Sequence, residues 1–384
     1  AAALSRRLAE GTGYARDATF TAAALIERAT GREAAVAFTN KALAAEPDNV
    51  DFHRLYQDLA LADGKRSELL QAYQKRRDDA PNDPNRAYLL SRLQSPSTAA
   101  PTLDGLVQRF PKNVPARRAQ AFNQFQMRQF KPAVASWRVL ADLDAEEREG
   151  QVAMLAEALV ALGRTGEALR EIDSVFEAKD SDRPDLAELY ARVARAPGGE
   201  RDAEVLFGRL AKDVPPAVLA WRRARAGLPE APQAEESGAK DLSQQFLRDA
   251  ITIIVSARSD PDRALQAASS SSAQVLGALD EDTWALLYAE SSRRDPAGKT
   301  TQALAAAAPR RSEARAVQAF VATGETSVDF DELPFEARAA AELARARDPK
   351  LPAAERKKLL AAARSDDLLH GSITAAIDAW KSGR

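Results

Sequence analysis

The feature that most limits what this chain can fold into is a unit that returns along it. Leu155–Phe176 reads LAEALVALGRTGEALREIDSVF: one helical stretch, a glycine-bearing turn, and a second helical stretch with small residues where the two would touch. Leu189–Pro215, LYARVARAPGGERDAEVLFGRLAKDVP, follows the same plan, and Asp63–Asp83, DGKRSELLQAYQKRRDDAPND, carries its second half. One helical hairpin cannot bury its apolar face alone, so such a unit folds by stacking on its own copies. At 384 residues the chain exceeds one ordinary core, which suits an array. Alanine, leucine, arginine and glutamate dominate, aromatic residues are 6%, and β-branched residues are sparse, so little or no sheet is expected.

These segments resemble the tetratricopeptide repeat: a small residue in the first helix, Gly in the turn, Ala early in the second helix, a larger residue four places on, and Pro at the end. The family's alanine position maps onto Ala35, Ala99, Ala133, Ala168 and Ala203, with Leu69 as the exception. The larger residue is Tyr73, Leu103, Trp137, Ile172 and Phe207, spaced 30, 34, 35 and 35 residues apart, with Thr39 a weak match in the first unit. Turn glycines fall at Gly31, Gly64, Gly163 and Gly198, and closing prolines at Pro47, Pro81, Pro111 and Pro215; the units ending near Ala145 and Asp180 lack one. The resemblance implies an all-α fold, a right-handed superhelix or α-solenoid of hairpins, with about six units over 16–216.

Past residue 216 the pattern weakens. Residues 1–226 are expected to form the array and 227–241, GLPEAPQAEESGAKD, a linker, since that stretch has Gly, Pro, Ser and charge without apolar periodicity. Residues 242–384 read as a diverged set of similar hairpins cut by prolines, with Thr326–Phe335 as a loop and Ser269–Ser272 as a frayed helix end.

Most chemistry is argued against by residue type. Without cysteine there are no disulfides, thiolate metal sites or cysteine nucleophiles, and a formal charge of -2 gives no overall pull toward nucleic acid. No apolar run is long enough to span a bilayer. Gly298-Lys299-Thr300 looks like the end of a phosphate-binding loop, but Arg293 stands where the earlier glycine belongs and a helix, not a strand, should precede it. His53 and His370 stand apart without metal-ligand spacing and are assigned capping or surface roles. Glu146 with Glu147 reads as a solvated helix face, and Asp329 with Asp331 lacks the EF-hand glycine and glutamate. No cofactor, metal or catalytic residue is expected.

What is left is a surface. In the repeats that this chain resembles, the first helices of successive units line a concave groove. Carried over unit by unit, the groove positions are Arg54, Asp58, Tyr88, Arg92, Arg118, Phe122, Phe125, Glu157, Glu188, Arg192 and Arg195. Such a mixed apolar and cationic strip suits an extended peptide or a helix, although Phe122 and Phe125 read equally as packing residues between hairpins. Chaperone-binding members use a lysine and asparagine pair; Arg54 followed by Asp58 departs from it. The expected function is a non-catalytic scaffold holding a protein or peptide, in a bacterial envelope-associated assembly, export or motility complex, with periplasmic placement favoured by the missing cysteine and the start without methionine. The rival readings are the repeat domain of a larger exopolysaccharide export or modification protein, which would contact polysaccharide, and an enzyme on a helical toroid, which needs a pocket of clustered acids or bases.

Overall fold

A computed structural model describes residues 2–144, 148–175, 184–196, 214–228, 242–308, 311–369 and 371–381. Regular structure among them is entirely α-helical, and the chain divides into two compact units, 1–123 and 124–384.

The first unit holds α1 (Ala2–Gly11), α2 (Arg16–Thr30), α3 (Arg32–Ala45), α4 (Val50–Ala62), α5 (Arg66–Asp79), α6 (Pro84–Ser91), α7 (Pro96–Arg109) and most of α8 (Val114–Gln126). First helices of successive hairpins begin at 16, 50, 84 and 114, so the spacing is 34, 34 and 30 residues. The starts are written in the sequence as Pro47-Asp48-Asn49, Pro81-Asn82-Asp83 and Pro111-Lys112-Asn113. The proline ends one hairpin, and the Asn or Asp caps the next helix. Asn49 accepts from the Asp51 and Phe52 N–H groups at 3.0 and 3.2 Å, Asp83 from Asn85 at 2.8 Å, and Asn113 from Ala116 at 2.9 Å. Each cap satisfies orphan donors and contributes about 1 kcal/mol. Gly31 and Gly64 turn the chain at φ of 97° and 77°, the left-handed region closed to most side chains. Ala35 with Thr39, Leu69 with Tyr73, and Ala99 with Leu103 are all buried, so the close-approach and gap-filling positions carry the core as read.

His53 corrects the expectation of a capping or surface role. It is buried, with Nδ1 2.7 Å from the Tyr73 hydroxyl and Nε2 2.8 Å from the Pro47 carbonyl. A neutral ring satisfies both by donating from Nε2 and accepting at Nδ1, and burial holds its pKa below the usual value.

The second unit continues the register with α9 (Phe130–Leu143), α10 (Arg148–Ala161), α11 (Thr165–Val175), α12 (Pro184–Arg195) and α13 (Pro216–Arg225). Ala133, Trp137, Ala168 and Ile172 are buried; Gly198, Ala203 and Phe207 lie outside the described residues, as do Ala145, Asp180 and the pair Glu146 and Glu147. Gly163 closes its turn at φ 71°. At the same turn position of the preceding hairpin stands Arg128, at φ 59°.

Beyond α13 come α14 (Leu242–Ser259), α15 (Pro261–Ser269), α16 (Ala273–Leu276), α17 (Glu281–Arg294), α18 (Lys299–Ala306), α19 (Arg311–Thr323), α20 (Val328–Asp331), α21 (Phe335–Ala346), α22 (Ala353–Asp366) and α23 (Ser372–Lys381). Of the expected linker, 229–241 lies outside the described residues, but α13 and α14 on either side of it pack together. The Trp221 indole donates to the Ala278 carbonyl at 2.8 Å, and Arg258 donates to the Arg225 carbonyl at 3.3 Å. In this part, contacts reach past sequence neighbours: α17 is buried from Asp282 to Ser292, and α23 returns to α14, where Arg258 donates to Ser372 at 3.1 Å. Thr326–Phe335 is not a plain loop: Ser327 caps α20 and Phe330 stacks on Phe320 at 4.1 Å. Within Ser269–Ser272 the helix α15 ends at Ser269, and Ser272 caps α16. Among the described residues no helix is long and apolar enough to cross a membrane.

Candidate partner-binding surfaces

In the first unit the assigned groove positions Arg54, Asp58, Arg92, Arg118 and Phe122 sit on α4, α8 and the end of α6. Arg54 pairs with Asp51 at 3.2 Å, and Asp51 also receives Arg16 from α2 at 2.9 Å. Arg92 spans two hairpins, donating to Asp58 at 2.8 Å and to the Gln57 side-chain oxygen at 2.9 Å. These bonds tie neighbouring first helices together along one polar face. Tyr88 departs from the expectation: it is buried among Tyr73, Leu89 and Leu90, because the eight-residue α6 is enclosed by α4, α5 and α7. Phe122 is different again. It is 45% exposed, one turn beyond the half-buried Arg118 on α8.

The remaining positions fall in the second unit. Phe125 is corrected to a core side chain, 2% exposed, with its ring 5.6 Å from Phe130 and 5.1 Å from Phe335. Glu188 is buried against Arg222 at 2.8 Å and Arg225 at 3.0 Å, both from α13. Arg192 reaches Asp282 at the start of α17, 3.3 Å away. The Arg195 side chain lies outside the described residues. Phe125, Glu188 and Arg192 are thus engaged by the chain's own later helices.

Around Arg192 the structure gathers acids that the sequence reading did not connect. Burial raises Glu157 on α10 to about 7, against the pull of Arg192; burial, Glu157 and Asp282 raise Glu336 on α21 to about 8. Asp280 and Asp367 are raised by burial as well, though each caps a helix, Asp280 through Thr283 at 2.9 Å and Asp367 through Gly371 and Thr374 at 2.9 and 2.7 Å. Arg192 is held strongly in its charged form, chiefly by Asp282, while burial lowers Arg258. Such a cluster can take up protons near neutrality. Among the described residues, no group of His, Asp and Glu has metal-holding geometry.

Arg128 is the other residue that sequence pattern alone did not single out. Its side chain crosses to the far end of the unit, donating to the Ser365 hydroxyl at 2.7 Å, pairing with buried Asp366, and lying 5.2 Å from the Phe335 ring. The Gly298–Thr301 turn follows a helix, as read, and borders a cavity of about 280 Å³ with Asp262, Arg294 and Asp295. Its Thr301 hydroxyl is already bonded to Ser291 at 2.6 Å and to the Asp295 carbonyl at 2.7 Å. His370 lies outside the described residues.

No family model matches this chain, and no curated protein matches it. Among solved structures, 11 chains match. One is YrrB, described as a TPR protein with an unusual peptide-binding site; it is 16% identical, and the match covers 45% of this chain and 91% of that one with a TM-score of 0.28. A superposition that loose carries no argument. The fold rests on helix spacing, turn geometry and the buried Ala and large-residue pairs.

Proposed function

We propose that this tetratricopeptide-like array is a non-catalytic scaffold that holds a peptide or protein segment on the first-helix face of its first unit. The observation behind this reading is Phe122. A repeat core completes itself with buried side chains, yet here a phenylalanine one turn from an arginine is left 45% exposed on a first helix. Aromatic and arginine side chains are the usual binding hot spots, with neighbouring polar contacts adding specificity rather than affinity. The ion pairs Arg16–Asp51 and Asp58–Arg92 link successive first helices of this unit through polar side chains. In the second unit Glu188 and Arg192 are engaged within the chain, so a partner has less to grip there.

The finer placement that we propose is a bacterial envelope-associated assembly; the arginine- and alanine-rich composition supports a bacterial source, and the absence of cysteine supports the envelope.

The test is selection of peptides by display against the whole protein, followed by titration of the best binders. Phe122→Ala is expected to weaken them by about tenfold or more, since hot-spot truncation costs about 2 kcal/mol. Leu162→Ala, an exposed apolar side chain in the second unit, should leave affinity unchanged. Equal affinity for wild type and Phe122→Ala would refute the assignment.

A further inference from the structure

A second surface, independent of Phe122, lies at the hairpin of α22 and α23. Both helices rest on α21, and a groove of about 690 Å³ runs beside them. Ala353, Leu360 and Ala361 share one face of α22, which at fourteen residues is about 20 Å long. The two alanines keep that face shallow. Leu360 and Trp380 form an apolar floor, and both are only partly buried against the core.

The rim is cationic. Arg356, Lys357 and Arg364 stand along α22, and Lys381 closes the end of α23. Arg364 pairs with Asp378. Arg356, Lys357 and Lys381 have no acidic partner among the described residues, whereas arginines elsewhere in the chain, such as Arg92, Arg138 and Arg294, are matched with carboxylates. In a chain of formal charge -2, three unmatched cations around one groove are a local excess. The Trp380 indole N–H likewise has no acceptor among the described residues, so the floor also offers a donor.

The geometry points to an acidic amphipathic protein segment as the occupant, its apolar side chains on Leu360 and Trp380 and its carboxylates on Arg356, Lys357 and Lys381. Apolar burial supplies the hold, and charge complementarity supplies the choice of partner and the approach rate. An anionic membrane fits less well. Membrane-surface helices project their large apolar residues outward, whereas here Leu360 and Trp380 are half-buried against the core and the exposed long side chains beside them are Lys357, Arg364 and Lys381. Nucleic acid would need no apolar floor of this kind.

The probe is a labelled synthetic peptide rich in glutamate with leucines at i, i+3, i+4 and i+7, titrated into the whole protein by fluorescence anisotropy. Binding should weaken with salt, weaken about tenfold in the Arg356→Glu/Lys357→Glu variant, and survive in Phe122→Ala. If the double reversal melts early, Lys357→Ala with Lys381→Ala serves instead, with a smaller loss expected in the same direction. A scrambled peptide of equal composition should bind about tenfold more weakly. Trp380→Phe should remove any change in tryptophan emission on binding. The inference fails if the peptide does not bind, if polyglutamate or the scrambled peptide binds as well, or if phosphatidylserine vesicles or a single-stranded oligonucleotide bind in its place. It also fails if Phe122→Ala abolishes peptide binding, which would move the site to the first unit.

Discussion

Trp137 and Phe122 show how one residue class serves opposite ends. Trp137 is 4% exposed and fills the space between hairpins, so Trp137→Ala should cost about 3 to 5 kcal/mol through cavity formation. Its indole N–H is buried without an acceptor among the described residues, so Trp137→Phe removes that donor along with volume and should cost clearly less than the alanine variant. Phe122→Ala should shift the melting temperature by no more than a few degrees, because little of that ring is in the core. Thermal denaturation of the three variants checks the ranking. Arg128 poses a sharper case. Glycine at its left-handed φ would relieve about 1 kcal/mol of backbone strain. The same change takes from buried Asp366 one of its two cations, leaving Arg338 at 3.4 Å, and removes the bond to Ser365; together these losses cost about 2 to 3 kcal/mol. Arg128→Gly is therefore expected to destabilise the second unit, and less so in an Asp366→Asn background. A urea double-mutant cycle showing additivity would mean that the pair is not coupled.

At the scale of helices, what the sequence made legible was what is local. The Ala and large-residue pairs, the turn glycines and the step of 30 to 34 residues all follow from neighbours in sequence, and among the described residues they appear where expected. The Pro-x-Asn/Asp caps are equally local: beside each closing proline, Asn49, Asp83 and Asn113 stand in sequence where the next helix needs its cap. Tyr88 and Phe125 were misplaced for a different reason. Helical periodicity says which face a side chain occupies but not what covers that face; α6 is short enough to be enclosed, and Phe125 is covered by Phe335, more than two hundred residues onward. The Arg192 cluster arises likewise, from α10, α12, α17 and α21 meeting. It gives a pH prediction. Glu157 and Glu336 face Arg192, Glu281, Asp282 and each other, and their folded pKa values of about 7 and about 8 lie above the carboxylate value of 4.5. The folded state therefore keeps protons that the unfolded chain has released, so stability should fall as pH rises from about 4.5 to about 8. Glu342, raised by burial to about 7, acts in the same direction. Melting temperatures between pH 5.5 and 8.5 should show the decline, and Glu336→Gln should flatten it and raise stability at the alkaline end. A slope unchanged by Glu336→Gln would sink this account.

Across the whole molecule, two arrangements share one repeat plan. In the first unit hairpins follow one another and first helices are tied by ion pairs; in the second, helices after 242 return to earlier ones and engage Phe125 and Arg192. Because α13 and α14 pack across 229–241, a protease site engineered there should yield two fragments that still co-elute in native buffer and separate only in denaturant. Separation in buffer would mean that these contacts are too weak to hold the halves. The central claim is that a partner segment is held on the first unit's α8 face rather than on the second unit's first helices. Hydrogen exchange measured with and without a display-selected peptide tests it most directly. Protection is expected around Arg118 and Phe122 on α8, with α10 and α12 exchanging as in the free protein. Protection concentrated on α10 and α12, with α8 unchanged, would contradict it.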